Sequence, residues 1–293
     1  MTETSSTQAP LVLVTGAAGI IGPGILKELQ DAGWRTAAAE RGPEAIELYE
    51  KAFGKPLAAE HVFFADLSSQ EECRRLVCEV EAKLGPIAGI VHGAAWNSRT
   101  PVSEITEETA LTLFKINFFA LLWLTQAALP SLEQQKGSVV SLSSVLMNEP
   151  AYNNLLYAAS KAALEKANEV LAGECYEKGV RFNTIRVGRI PGVAFLMEGV
   201  KELPPDEARE MVAELLPRWV NLLRERVGEA GAGTPQDIGQ TVCFLMSPQA
   251  RFISGHTITL DGAYSRVPRG AGSGARADLY QEWKARRAEK KGA

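Results

Sequence analysis

Short apolar runs alternate along this chain with longer stretches in which apolar residues recur every three to four positions. Seven runs read as strands: Leu11–Thr15, Arg35–Ala39, His61–Ala65, Ile87–His92, Ser138–Ser143, Val180–Val187 and His256–Leu260. The stretches Ile25–Asp31, Glu104–Leu129 and Leu155–Glu177 read as helices. Strands that alternate with helices predict an α/β fold, a doubly wound parallel seven-stranded sheet with helices on both faces. The alternation runs on without a linker and no internal repeat is visible, so one domain is expected over residues 11–264. In such sheets ligands bind outside the carboxyl ends of the strands, where the strand order reverses. Chemistry-bearing residues are therefore sought there.

The first strand runs directly into Thr15-Gly16-Ala17-Ala18-Gly19-Ile20-Ile21-Gly22, and a helical pattern follows. Strand, glycine-rich turn and helix in this order point to a Rossmann-type dinucleotide site. Gly16 allows the tight turn, Gly19 a close approach to a pyrophosphate, and Gly22 close packing of helix on strand. Free N–H groups at the helix start attract phosphate, and Pro23 is tolerated in a first turn. The second strand ends at Glu40, eighteen residues after Gly22. A carboxylate there accepts bonds from ribose hydroxyls and repels a 2′-phosphate, which favours NAD; NADP is the less favoured cofactor. Arg41 pulls the other way, because an arginine at that place can hold the 2′-phosphate. The third strand ends at Asp66-Leu67, where Asp66 can meet the adenine edge.

Tyr157 and Lys161 stand four residues apart, and Ser144 lies thirteen residues before the tyrosine. On a helix, residues i and i+4 share a face. A phenol titrates near ~10, so unaided it is a poor base at neutral pH. An ammonium roughly 4 Å away, at an effective dielectric of ~20, contributes about 4 kcal/mol toward lowering that value. The expected arrangement places Lys161 beside the Tyr157 hydroxyl, with Ser144 holding a substrate oxygen. A Tyr-x-x-x-Lys pair by itself also arises among exposed helix neighbours. The argument therefore needs the glycine-rich turn as well.

Together these residues resemble the short-chain dehydrogenase/reductase family over about residues 10–264. The resemblance implies a catalytic tetrad of Asn117, Ser144, Tyr157 and Lys161. In the family the asparagine sits on a kinked helix that holds a water for proton relay to the lysine. It further implies cofactor contacts from Thr15, Gly16, Ala18, Gly19, Ile20, Ile21, Gly22, Glu40, Arg41, Asp66, Leu67, Gly93, Ala94, Ala95, Asn117, Tyr157, Lys161, Val187, Gly188 and Ile190. An alcohol or ketone substrate and a homotetramer are implied likewise. Departures stand out. Ile20 occupies a place where glycine is commonest, and His92-Gly93-Ala94-Ala95 replaces Asn-Asn-Ala-Gly. Val187 replaces the usual proline before Gly188. The glycine spacing and the His92 segment are more typical of the extended branch acting on nucleotide sugars. The ending at Asp261-Gly262 belongs to the shorter branch that includes 3-oxoacyl-carrier reductases and sugar or polyol dehydrogenases.

Composition narrows the picture further. With 46% hydrophobic and 23% charged residues the chain has the profile of a soluble globular protein. No run of about 18 consecutive apolar residues predicts a membrane span. Met1–Pro10 is polar and acidic, a flexible start rather than a secretory signal, so a cytoplasmic location is expected. Cys73, Cys78, Cys175 and Cys243 show no paired spacing and are expected reduced and buried or half-buried. His61, His92 and His256 sit on strands or strand ends, and no metal site is expected.

Residues 265–293 carry eight basic against three acidic residues, so a tail near +5 leaves a body near −9 within the total of −4. A solvated tail, or an arm on an acidic neighbouring subunit, is expected rather than nucleic-acid binding. Substrate choice should lie in Val145–Leu156, rich in Asn148, Glu149, Tyr152, Asn153 and Asn154. It should lie also in Val193–Gly233, read as a helical lid with Phe195, Leu196, Met197 and Trp219 as walls, or as a helix that only packs on the fold. The polar loop points to a sugar or polyol. Two other classes remain open on sequence: an NAD-retaining nucleotide-sugar epimerase or dehydratase, and a dinucleotide-binding regulator without turnover.

Overall fold

Strand β1 (Leu11–Thr15) is buried at every position, which is why its sequence is a continuous apolar run rather than an alternating one. In the computed structural model it pairs in parallel with β2 (Arg35–Glu40) and β4 (Ile87–His92). With β3 (His61–Phe64), β5 (Ser138–Ser144), β6 (Arg181–Val187) and β7 (His256–Leu260) they form a seven-stranded sheet in the order β3-β2-β1-β4-β5-β6-β7. Every pairing is parallel. The strand order reverses between β1 and β4, so the doubly wound α/β sheet is as expected and its cleft opens there. The structure describes residues 8–57, 61–149, 151–190, 200, 203–227, 233–266 and 286–287.

One sheet face is covered by α3 (Gln70–Leu84), α5 (Ala120–Gln135) and α6 (Leu155–Glu174), whose Leu76, Leu121, Leu124 and Leu164 join Leu13, Ile90 and Phe182 in one core. The other is covered by α1 (Gly22–Asp31), α2 (Pro43–Phe53) and α8 (Pro235–Met246). There Ile25, Leu29, Tyr49 and Ile238 pack on Val12, Val14 and Ile185. α8 opens with a full capping box between Thr234 and Asp237.

The helix expected over Glu104–Leu129 differs at both ends. It begins as α4 (Glu107–Phe114) because the Thr106 side chain caps it by accepting the Thr109 N–H at 3.1 Å. A π-helical turn (Lys115–Phe119) follows, and α5 continues through Pro130 to Gln135. Proline removes one ladder bond and crowds the preceding turn, but Ala128 and Leu132 on either side are fully buried and hold the helix to the sheet. Lys136, at φ 51°, ends it in the left-handed region. The stretch Glu107–Gln135 has the length and apolar composition of a membrane crossing. Its inner stripe is nevertheless committed to α3 and β4. α6 stops at Glu174, three residues short of expectation.

Within the proposed lid, α7 (Pro205–Val227) turns Ala208, Met211, Val212 and Leu215 onto Leu48 and Ala52 of α2. Phe195, Leu196, Met197 and the side chain of Trp219 lie outside the described residues. Beyond Arg266, Arg286 and Arg287 are the described residues of the basic tail. They pair with Glu214 at 2.6 Å and with Glu210 and Glu207 at 2.7 and 3.3 Å. The acidic surface that receives these two arginines is thus α7 of the same chain. The four cysteines are free, with Cys73 and Cys175 buried and Cys243 half-buried. Cys78 is exposed, unlike the expectation, because it falls on the outer side of α3.

Candidate active site

Each segment read as chemical ends at the carboxyl edge of a strand. Thr15 closes β1, Glu40 β2, His92 β4, Ser144 β5 and Val187 β6, while Asp66 and Leu67 follow β3 by two and three residues. Parallel pairing puts all of these ends on one rim.

At the glycine-rich turn, Gly16 has φ +69°, and a Cβ there would sit 2.8 Å from the backbone of Ala94. Only glycine lets the β1 and β4 loops touch. A Cβ on Gly22 would stand 2.4 Å from the Gly16 and Ala17 carbonyl oxygens, whereas on Gly19 it would meet Gly16 O at 3.1 Å. Gly22 therefore allows helix α1 to start against the turn. Gly19 is exposed, with its open side available to a phosphate. We expect Gly22→Ala to cost about 3 kcal/mol, because two backbone carbonyls must move. Gly19→Ala should keep the fold and weaken dinucleotide affinity. Chemical denaturation and cofactor titration of the two variants check this; equal stabilities would refute the assignment of roles.

Glu40 has a task that sequence reading missed. Its Oε1 accepts the Ala18 N–H at 2.6 Å, so the carboxylate braces the glycine-rich turn. Burial raises its pKa, and bonds from the Ala18 and Arg41 backbones offset this in part. Arg41 is exposed. Asp66 is exposed, its Oδ1 accepting the Ser68 N–H, while the Leu67 side chain turns into the core. Ile20 and Ile21 are half-buried beside the turn; on the rim after β4, Gly93 and Ala94 are half-buried and Ala95 is exposed. Gly188 bonds back to Leu260 O at 2.9 Å, and Ile190 packs beside the core under α8.

Four residues from three elements converge beyond β4 and β5. Tyr157 and Ser144 are hydrogen-bonded, and the Ser144 hydroxyl accepts the Leu146 N–H at 3.2 Å. The Lys161 ammonium donates to Leu142 O at 2.7 Å and lies 5.7 Å from the centre of the Tyr157 ring. Asn117, fully buried in the π-helical turn, accepts from Trp96 N at 2.7 Å and donates to Trp96 O at 2.9 Å. It also donates to Ser160 Oγ at 3.0 Å, and Ser160 bonds the Tyr157 carbonyl at 2.8 Å. The kink expected at Asn117 is this π-turn.

The electrostatics depart from the sequence expectation. Burial raises the Tyr157 pKa, with the Ser144 hydrogen bond pulling it partway back. Part of the tyrosine reaches solvent while its hydroxyl is enclosed. Lys161 does not produce the expected lowering. Its ammonium is itself desolvated, which takes its own pKa down to about 8, and is bonded to a carbonyl. A cleft of about 130 Å³ adjoins the loop after Ser144, lined by Asn148, Glu149, Arg186, Thr259 and Arg266 among others.

A family model described as enoyl-(acyl carrier protein) reductase matches residues 16–265. The chain belongs to the short-chain dehydrogenase/reductase family. It is 28% identical to an uncharacterized oxidoreductase of Methylorubrum extorquens, over 88% of this chain and 98% of that protein. It is 29% identical to an acetoacetyl-CoA reductase of Shinella zoogloeoides, over 86% of this chain and 97% of the relative. A crystal structure described as that of a short-chain alcohol dehydrogenase from Sinorhizobium meliloti superposes with TM-score 0.71 at 25% identity, covering 88% of this chain and 97% of that one. This short-chain dehydrogenase/reductase is accordingly placed among oxidoreductases.

Three contributors to the site of this family member escaped sequence reading. Ser160 lies inside the Tyr157–Lys161 interval, where spacing gives no hint that it links Asn117 to the tyrosine backbone. Trp96 acts only through its backbone. His92, expected on a strand or strand end, is fully buried, and its ring touches Thr15 at 3.4 Å. The only available signal was its departure from the family's usual asparagine.

Proposed function

We propose that this protein interconverts a secondary alcohol and a ketone with NAD. The observation that carries this reading is the convergence of Ser144, Tyr157, Lys161 and Asn117 beside the glycine-rich rim. Ser144 holds the substrate oxygen. Tyr157, as phenolate, takes the hydroxyl proton during oxidation and returns it during reduction. Lys161 anchors the nicotinamide ribose and passes the proton onward, and Asn117 fixes the turn from which the relay starts. A bound nicotinamide supplies the hydride acceptor or donor. The cradle left by Gly16, Gly19 and Gly22 suits a pyrophosphate. The Glu40 carboxylate stands where a 2′-phosphate would be repelled, which supports NAD over NADP.

The polar cleft lined by Val145, Asn148, Glu149 and Arg186 supports a hydroxylated substrate such as a sugar or polyol. The acetoacetyl-CoA reductase relative raises an acyl thioester as the competing class. Leu111 and Phe119 on α4 and the π-turn, with Leu155 and Val170 on α6, leave apolar side chains exposed. These faces support a homotetramer, with a cytoplasmic location as the simplest setting.

Absorbance at 340 nm with NAD or NADP tests the reading against sugars, polyols, steroids and hydroxyacyl thioesters. Turnover confined to sugars or polyols with NAD is the expected outcome. Turnover of steroid or thioester alone would remove the substrate class, and retained cofactor without any turnover would favour an epimerase. Because burial raises the Tyr157 pKa, oxidation should quicken from about pH 7 to about pH 10 as the phenolate fraction grows, while reduction, which uses the phenol, should stay nearly level. A rise in oxidation against a level reduction rate is the signature; a parallel rise in both directions would contradict Tyr157 as the proton-transfer group.

A further inference from the structure

His92 is fully buried at the end of β4 and belongs to none of the roles assigned so far. Its Nδ1 lies 3.4 Å from Thr15 Oγ1. Thr15 Oγ1 accepts the Ala94 N–H at 3.2 Å, and its single proton is shared between His92 Nδ1 at 3.4 Å and Val91 O at 3.5 Å. Nε2 makes no hydrogen bond of good geometry. The ring also lies against the backbone of Ile116 and Asn117 inside the π-helical turn, and with Nδ1 turned to Thr15 its Nε2 edge is the one left for them. A π-turn displaces carbonyls from the helical ladder, and such turns cluster at functional sites.

The tautomer follows from these neighbours. A neutral imidazole has one N–H and one bare nitrogen. If Nδ1 carried the proton, bare Nε2 would be set against two carbonyl oxygens, which is repulsive. With the proton on Nε2, Thr15 donates to Nδ1 and Nε2–H points toward the carbonyls. The ring stays neutral because burial, and then the Lys161 charge, bring its pKa down to about 3. Lys161 on α6 is the charged group acting on the ring.

We propose that His92 is a positioning residue for the proton relay: its neutral, Nε2-protonated ring ties the carbonyls of the Ile116–Asn117 turn to Thr15 beneath the glycine-rich loop. The cofactor-binding turn and the relay turn are thereby braced against each other through one side chain. The detailed role rests on the proposed dehydrogenase function. The tautomer and the contact do not.

Two variants separate the two ends of the ring. In His92→Gln the amide nitrogen takes the place of Nε2; in His92→Asn it takes the place of Nδ1. His92→Gln should keep kcat within a few-fold, whereas His92→Asn should lose about 10- to 100-fold in kcat, as for a displaced catalytic group. The loss should come with a changed solvent isotope effect and an unchanged KM for NAD. His92→Asn with wild-type kcat and isotope effect would overturn the proposal. Nitrogen-15 NMR of the histidine rings in the wild-type chain reads the tautomer without turnover. The resonance lost in both variants should report Nε2–H and stay constant from about pH 5 to about pH 9. A titrating or Nδ1-protonated His92 would refute the inference even if no substrate is found. A constant Nε2–H signal without turnover would instead count against the dehydrogenase reading alone.

Discussion

Tyr157→Phe is expected to lower kcat by about 10³-fold or more, while cofactor affinity stays within about two-fold. The substitution removes one oxygen and keeps the ring, so the packing above Lys161 survives. What is lost is the group that exchanges a proton with the substrate, an interaction made in the transition state rather than in cofactor binding. The lost bond to Ser144 should cost only about 1 kcal/mol of stability. Steady-state kinetics, cofactor titration and thermal melting of one preparation give all three numbers. Should Tyr157→Phe keep more than about a tenth of wild-type kcat, the assigned proton path fails.

Lys161→Met is expected to abolish turnover and yet raise the melting temperature. Lys161 is 1% exposed, and burial takes its pKa from 10.5 to about 8. A shift of that size means the folded protein holds the charge at a penalty of roughly 3 kcal/mol near neutral pH. Methionine has a similar length and no charge to bury. Losing the bond to Leu142 O returns about 1 kcal/mol of that gain. A net stabilisation of about 2 kcal/mol should raise Tm by roughly 4–8 °C for a chain of this size.

The pH dependence gives an independent check. Between pH 8 and 10.5 the unfolded chain holds the Lys161 proton more tightly than the folded one, so this group's contribution to stability rises with pH. The Tm advantage of Lys161→Met should therefore be largest below about pH 8 and shrink toward about pH 10. A variant that melts below the wild type at pH 7 would show that the carbonyl bond and local packing outweigh the buried charge. A site that holds an uncomfortable charge for function is the usual form of the trade between stability and activity.

Much of this molecule was legible in the order of its residues. Apolar runs of four to eight residues between amphipathic stretches suffice for a parallel sheet covered on both faces, because strands buried on both sides need apolar residues at nearly every position. The glycine pattern also read through, since Gly16 and Gly22 answer to backbone approaches that admit no Cβ. The spacing of Tyr157 and Lys161 is local helix geometry. Asn117, by contrast, reached the tetrad through family resemblance.

Tertiary structure decided what depends on contacts between distant segments. The Glu40 carboxylate turns back to the Ala18 N–H across 22 positions of sequence, and no pattern records that distance. Lys161 donates to Leu142 and is desolvated by the core beneath it, and the burial of Tyr157 raises the pKa of the phenol. The helix through Pro130 continues because the sheet holds Ala128 and Leu132. His92 acquires a role only because β1 and β4 are neighbours and the π-turn lies above them. Local sequence sets the pattern of hydrophobicity and the available backbone conformations. Burial, and the charge it strips of water, exist only once the chain has closed on itself.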